Sequence, residues 1–471
     1  MKKSLLLFIS LLTAALSAWA VTDGQTYPEV NGIKIVNQWI FDRVHCGTDY
    51  TNNAICSQRA RTATMDQGII YVARSEERLV MVGNDSLMQS VIHRFSAADG
   101  TELEDLPLTL DGAPYGRFLG VASIGKDSFH HIWVAPMTGG KADLQQYVPI
   151  YMVNTETGEL TLVTQLDKDG TYSDINGWPR TDYLDVIGDL TLEQAECNIM
   201  TVAGATADPG LPHLYRMHAD QGGNWEGGFD GDPYMDVIDF YPETKTGFSL
   251  APVIKMIEGP DEDSRYSGET FYIDCFDAAP VVYDFSSSFI DSFEDVDPEL
   301  WPKATPNGCI EFKLDDRDFF VYVIADMNGN GYGCQANICE LGEGQSLAGM
   351  TKYWKIPADS LGKVNDSGLR VHSFAVEYGV DDEGFEEITL FTFKAYNGMA
   401  VYKIGRNVSS EQPQPVVPGD VNGDGEVNIS DVSDIIDLIL SGRYTTSGDV
   451  NGDSEINITD INAVIDLILN S

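Results

Sequence analysis

The sequence predicts a mainly β protein, a β-propeller of about six blades followed by a small all-α module. Three observations carry that reading. A four-residue apolar motif with a ring at its second position recurs six times along the first four hundred residues. Each copy follows another short apolar run, as successive strands of one blade would. The last fifty residues hold a duplicated segment in which an oxygen-rich loop runs into an apolar stripe of helical period.

The 471 residues carry 73 acidic against 29 basic side chains, a formal net charge of −44, with 43% hydrophobic and 10% aromatic content. That composition excludes a disordered chain. The charge excludes nucleic acid or an anionic membrane as the main partner, since both would be repelled. The acid must therefore be solvated surface or cation ligand.

Residues 1–20 read as a secretory leader. Lys2 and Lys3 precede an apolar run from Leu5 to Leu16, and Ala18-Trp19-Ala20 places small residues at −3 and −1 of a cut before Val21. The run is shorter than the roughly 20 residues a spanning helix needs, and no other apolar stretch reaches that length. The expected mature protein is secreted, in solution or at the cell surface.

Residues 21–408 are expected to form the propeller. The tetrads are Ile92–Phe95, Ile150–Val153, Leu214–Met217, Val282–Phe285, Tyr353–Ile356 and Val401–Ile404. Their rings, His93, Tyr151, Tyr215, Tyr283, Trp354 and Tyr402, are spaced by 58, 64, 68, 71 and 48 residues. The runs before them lie at 69–73, 131–135, 199–203, 270–274, 321–325 and 389–393, with a weaker third run at 117–125 and 182–190. Polar turns such as 96–100 and 154–158 follow several tetrads. Blades usually take about 40–50 residues, so insertions are expected, the largest at 217–246 and 325–350. Residues 32–41 have no blade of their own and are placed as the outer strand of the last blade, closing the ring. Aromatic residues in these runs are read as core. A pair of β-sandwiches is the competing fold. This stretch loosely resembles secreted bacterial six-bladed propellers.

Chemistry in this region has no distinct signature. Asp182, Asp185 and Asp189 read as a solvated strand end or turn. Asp220–Trp225 shares Asp, Gly and Trp with the Asp-box turn of sialidases but lacks its flanking Ser and Thr. Asp326–Gly333 offers only the first three oxygens of a calcium loop and reads as a plain turn. His130 and His131 have no evident carboxylate or serine partner in the sequence. No nucleophile elbow, zinc-protease, P-loop or dinucleotide motif is present. Of seven cysteines, Cys46 with Cys56 and Cys334 with Cys339 are close enough to pair, while Cys197, Cys275 and Cys309 read as buried fillers.

Residues 409–418 are a proline-rich linker, an extended and semi-rigid spacer. Residues 419–471 form the final module. Its two loops, 420–431 and 449–460, place Asp420 and Asp449 at position 1, Asn422 and Asn451 at 3, and Asp424 and Asp453 at 5. Glu426 and Glu455 stand at 7, Asn428 and Asn457 at 9, and Asp431 and Asp460 at 12. Alternating oxygens over twelve residues wrap a hard cation that takes six to eight of them, which predicts two Ca2+. Gly425 serves the bend at position 6, and Ser454 replaces it in the second loop. The stripes Val432, Ile435, Ile436, Ile439 and Ile461, Val464, Ile465, Ile468 follow. Residues 420–440 and 449–469 share 14 identities in 21 positions. Eleven acidic side chains in this module repel one another, so folding and calcium uptake are expected to be one event.

The paired loop-then-helix units lack the leading helix of an EF-hand and close with Asp, and in this they strongly resemble a type I dockerin. The resemblance implies docking onto a cohesin-type or cell-surface partner, commonly by proteins of polysaccharide breakdown. It assigns partner recognition to loop positions 10 and 11, here Ile429, Ser430, Ile458 and Thr459. Family helices commonly present basic residues to the cohesin, whereas this module shows Asp434 and Asp437 and has Arg443 as its single basic residue. Two functions follow. The first is a non-catalytic protein that docks through the module and presents the propeller to glycan or protein. The alternative is a glycoside hydrolase or lyase carried by the same module. The residues favour the non-enzyme, because no carboxylate pair is singled out.

Overall fold

A computed structural model describes residues 21–42, 60–116, 120–136, 147–167, 180–194, 196–204, 212–218, 234–239, 253–257, 270–275, 278–286, 288–300, 308–324, 334–362, 372–381, 383–395, 397–409, 419, 421, 427–441, 448, 450 and 456–470. The expected leader, the linker at 410–418, Cys46, Cys56, Asp220–Trp225 and residues 326–333 lie outside the described residues. The chain divides between Val408 and Ser409 into two compact units.

The first unit is a six-bladed β-propeller. Strand β1 (Lys34–Asp42) comes first in the chain but belongs to the last blade. Blade 1 runs outward as β2 (Ala60–Asp66), β3 (Ile69–Val82), β4 (Asp85–Ser96) and β5 (Leu106–Pro107). The short strands β6 (Thr109–Leu110) and β7 (Ala113–Pro114) then edge blade 2, which is β8 (Ser123–Lys126), β9 (Ile132–Ala135), β10 (Tyr147–Val153) and β11 (Glu159–Asp167). Blade 3 is β12 (Arg180–Gly188), β13 (Cys197–Gly204), β14 (Pro212–His218) and β15 (Tyr234–Asp239). Blade 4 is β16 (Val253–Met256), β17 (Thr270–Cys275), β18 (Ala278–Asp284) and β19 (Phe289–Ser292). Blade 5 is β20 (Cys309–Leu314), β21 (Arg317–Ile324), β22 (Gln335–Gly342) and β23 (Ser346–Ile356). Blade 6 is β24 (His372–Val380), β25 (Glu386–Lys394) and β26 (Gly398–Gly405), with β1 outermost.

Strand β1 pairs antiparallel with β26, Ile35 opposite Ile404 and Ile40 opposite Ala400, with a register shift between Asn37 and Trp39. The first described strand thus completes the last blade, as the orphan segment 32–41 predicted, and the ring closes by backbone hydrogen bonds. Trp39 is fully buried among Met65, Ile70, Phe391 and Met399, so the closing strand also supplies core between the last blade and the first. Burying a side chain of that size contributes at least about 1.5–3 kcal/mol. Between β2 and β3 the chain reverses at Gln67 and Gly68, both at positive φ (48° and 73°), as a tight hairpin turn with the native strand twist requires.

Five tetrads fall in the third strand of their blades. The fifth, Tyr353–Ile356, lies one strand further out, in β23. The third strand of blade 5 is β22, inside the stretch 325–350 that the sequence marks as an insertion. Its polar residues disguise it: Asn337 is buried in mid-strand, its amide donating to the Tyr322 hydroxyl at 3.0 Å. Strand β15 likewise sits within the expected insertion 217–246.

Cys334 and Cys339 are both free and buried, so this pair forms no disulfide. Cys339 Sγ faces the Tyr322 hydroxyl at 3.9 Å, whereas Cys334 Sγ accepts from Asn397 Nδ2 at 2.6 Å, in a different hydrophobic cluster. Cys197 and Cys309 are also free and buried. Among the described residues, no helix is long and apolar enough to cross a membrane.

In the second unit, helices α1 (Ile429–Ser441) and α2 (Ile458–Asn470) pack on a core of Val432, Ile435, Ile461 and Val464. Val421, Val427, Val450, Ile456 and Ile468 pack against it. Only part of each predicted stripe is buried, and Ile436, Ile439 and Ile465 are exposed. Among the described residues each helix turns one flank of its stripe to this core.

Candidate functional site

Each helix of the second unit begins where its loop ends. Asn428 and Asn457 cap the helices, their side-chain oxygens accepting the N–H of Ser430 and Thr459, both at 2.8 Å. Asp431 and Asp460 are fully buried. The Asp431 carboxylate takes the N–H of Val421 at 2.7 Å and of Asn428 at 2.8 Å. The Asp460 carboxylate takes those of Val450 and Asn457, both at 2.9 Å. One clamp is repeated twice, and in each copy the closing residue of the loop is tied to the residue just after its start. A buried carboxylate at the mouth of an oxygen-rich loop suits a hard divalent cation.

Asp420, Asn422, Asp424, Glu426, Asp449, Asn451, Asp453 and Glu455 lie outside the described residues. Of the four residues assigned to partner recognition, Ile429 and Ile458 are 71% and 64% exposed, and Ser430 and Thr459 are exposed beside them.

In the propeller, the innermost strands β2, β8, β12, β16, β20 and β24 line one central cavity. Polar side chains stitch these strands around the ring. Thr62 Oγ1 accepts from Ile124 N at 2.9 Å, and Leu184 N donates to Ser123 Oγ at 3.4 Å. Asp185 takes Lys255 Nζ and Met256 N, both at 2.8 Å. Gly308 N donates to Asp274 at 3.0 Å, Lys313 N to the Tyr378 hydroxyl at 3.2 Å, and Ala63 N to Ser373 Oγ at 3.1 Å. The acids that the sequence reads as solvated are therefore inside: Asp185 and Asp189 are both buried. Strand alternation alone does not distinguish a channel-facing carboxylate paired across blades from one in water. Asp182 is in β12, and its side chain is not among those described.

Two acids have raised pKa values, Asp274 of β17 and Glu311 of β20. Burial pushes the Asp274 carboxyl up to about 7, against the Gly308 hydrogen bond and the Lys394 charge that favour ionisation. Its Oδ1 has no hydrogen-bond partner among the described residues. Burial also pushes Glu311 up to about 7, although the Tyr272 hydroxyl donates to it at 2.6 Å. His372, also on the cavity wall, is buried and held neutral, its pKa well below the ordinary imidazole value through burial and the Lys394 charge.

The adjacent histidines find partners the sequence does not reveal. His130 Nδ1 lies 2.7 Å from Asp66 of blade 1, while His131 Nδ1 lies 2.7 Å from Asp127 and 3.7 Å from Asp189 of blade 3. His93 sits between Asp105 at 2.8 Å and Glu77 at 2.6 Å. Burial opposes its charge, but the hydrogen bonds it donates to Asp105 and Glu77, with their negative charges, outweigh that and push its pKa up to about 9. Among the described residues Trp39, Trp133 and Trp354 are all buried, which agrees with reading the strand aromatics as core.

Solved structures similar in fold include a DUF4623 family protein from Bacteroides eggerthii, 11% identical over 81% of this chain and 77% of that chain, with a TM-score of 0.49. An α-L-arabinanase from Penicillium chrysogenum complexed with arabinobiose is 13% identical over 58% of this chain and 77% of that chain, TM-score 0.35. The intramolecular trans-sialidase from Ruminococcus gnavus is 11% identical over 78% and 98%, TM-score 0.36. No curated protein sequence matches the chain. Residues 418–469 match the family described as the dockerin type I domain. That segment contains both buried closing aspartates, helix α1 and all but the last residue of helix α2, and residues 418–469 are accordingly a type I dockerin domain, the kind of module that binds calcium and docks onto cohesin partners.

Proposed function

We propose that this is a secreted protein that docks by a two-calcium module onto a cohesin-type or cell-surface partner and presents its propeller, without catalysis, to glycan or protein during polysaccharide breakdown. The observation that carries the proposal is the duplicated clamp, Asp431 on Val421 and Asn428, Asp460 on Val450 and Asn457. Asp420, Asn422, Asp424, Glu426, Asn428 and Asp431 hold one Ca2+, and Asp449, Asn451, Asp453, Glu455, Asn457 and Asp460 the second. Ile429, Ser430, Ile458 and Thr459 meet the partner, whose surface is apolar at its centre because Ile429 and Ile458 are exposed. The domains are residues 21–408 and 419–471, joined by 409–418. Immobilised cohesins should retain the full chain with calcium and release it to a chelator. An insoluble polysaccharide panel should retain it through the propeller whether or not calcium is present. Loss of both activities on chelation would overturn this division of labour.

A hydrolase reading draws on Glu311. A carboxyl on the cavity wall that is protonated up to about pH 7 is in the state a glycosidase needs for its acid. Incubating the full chain with the same panel and measuring reducing ends decides between them. Sugar release abolished by Glu311→Gln would favour hydrolysis, and no release favours binding alone.

A further inference from the structure

The sequence leaves His130-His131 unassigned, and the structure joins His131 to two buried acids from different blades. Asp127 opens the turn that follows β8, and Asp189 follows β12. Both carboxylates are withdrawn from water, with side-chain exposures of 0% and 1%, while His131 keeps a third of its side chain exposed. His131 Nδ1, a carboxylate oxygen of Asp127 and one of Asp189 all lie within 4.8 Å of one another.

The acids are fixed before any ligand arrives. Asp127 Oδ1 accepts the N–H of Phe129 and of His131, both at 2.9 Å, and its Oδ2 that of Leu190 at 2.9 Å. Asp189 Oδ1 accepts the N–H and hydroxyl of Thr191 at 2.8 and 2.6 Å, and its Oδ2 the N–H of Gln194 at 2.8 Å. Backbone donors that orient carboxylates in this way are the outer shell that tunes metal ligands. Two carboxylates face one imidazole, a mixed oxygen and nitrogen donor set of the kind a borderline cation takes.

We propose that Asp127, His131 and Asp189 form a three-ligand site for a divalent transition cation, zinc, which fastens blade 2 to blade 3. In a tetrahedral zinc site with bonds of about 2.0–2.2 Å, neighbouring ligand atoms lie roughly 3.3–3.5 Å apart. The observed separations of 2.7 and 3.7 Å from Nδ1 bracket that edge. Zinc replaces the hydrogen bond between His131 Nδ1 and Asp127, and a water supplies the fourth ligand. Calcium is disfavoured, because it takes six to eight oxygens and here meets two carboxylates and a nitrogen. The second cluster of this kind, His93 with Glu102 and Asp105, differs in that both ring nitrogens are engaged, Nε2 by Glu77 and Nδ1 by Asp105.

The test is zinc titration of the full chain by calorimetry, with calcium in excess so that the C-terminal loops are occupied. The expected result is one zinc equivalent, retained in His93→Gln and lost in His131→Gln and Asp189→Asn. Cobalt substitution of the wild-type chain should give the intense visible bands of a four-coordinate ion with a nitrogen ligand. The proposal is overturned if the wild-type chain takes up no zinc equivalent, if His131→Gln and Asp189→Asn keep it, if His93→Gln abolishes it, or if bound cobalt is six-coordinate.

Discussion

The side-chain amide of Asn37 donates to the carbonyl oxygen of Val401 at 3.2 Å, across 364 residues of sequence. It also donates to Trp39 O at 3.1 Å, and its oxygen accepts the N–H of Asp23 at 2.9 Å. Asn37 stands at the register shift between β1 and β26, where the ladder is interrupted and backbone groups need another partner. One buried amide therefore repairs the seam by which the ring closes.

Asn37→Ala should leave those three backbone groups unpaired and lower stability by about 1–3 kcal/mol. Asn37→Asp, whose protonated carboxyl at low pH keeps the acceptor and one donor in place of the amide's two, should there fall between Asn37→Ala and wild type. Urea unfolding followed by tryptophan fluorescence measures both, and an unchanged midpoint for Asn37→Ala would refute the assigned role.

Removing either closing aspartate should cost one calcium. Asp431→Ala and Asp460→Ala are each expected to bind one equivalent and the double variant none, with cohesin binding lost in the double. Calorimetric titration of the full chain after exhaustive chelation gives the stoichiometry. Two equivalents of unchanged affinity in the double variant would sink the calcium assignment.

His93 links stability to alkaline pH. Its folded pKa of about 9 lies above the ordinary 6.5, so its contribution is complete below pH 6.5 and is lost as pH rises through 9. His93→Gln should be less stable than wild type by about 1–3 kcal/mol at pH 6, with the difference vanishing by pH 10. A constant difference across that range would contradict the Glu77–His93–Asp105 arrangement.

Asp274 acts in the opposite sense. Its carboxyl is raised from 3.8 to about 7, so between those values the folded state keeps a proton that the unfolded chain has released. Stability from this residue therefore falls as pH rises across that window, by up to about 1.4 kcal/mol per pH unit. Asp274→Asn should remove this slope and raise the melting temperature at pH 8. Thermal melts of both proteins from pH 4 to 8 are the check, and a lower melting temperature for Asp274→Asn at pH 8 would count against it.

The parts legible in the sequence are those whose physics is local. Loop ligands recur every second residue over twelve, and helical stripes every three or four, so 420–431 and 449–460 declare a dockerin without any long-range contact. Strand runs are also local, and the ring motif located five third strands. It misplaced the fifth because β22 hides a buried Asn337 that is polar in sequence and paired only in three dimensions.

The sequence by itself determined a chain of short strands, a duplicated oxygen-rich loop and an orphan strand near the beginning in need of a partner. The tertiary structure decided which acids are inside. Asp185 finds Lys255 70 residues away, Asp66 finds His130 64 residues away, and Asp189 shares His131 with Asp127. A carboxylate's fate depends on whether a donor reaches it once water is excluded, and in a ring of blades that donor comes from the neighbouring blade, at a separation no local pattern encodes.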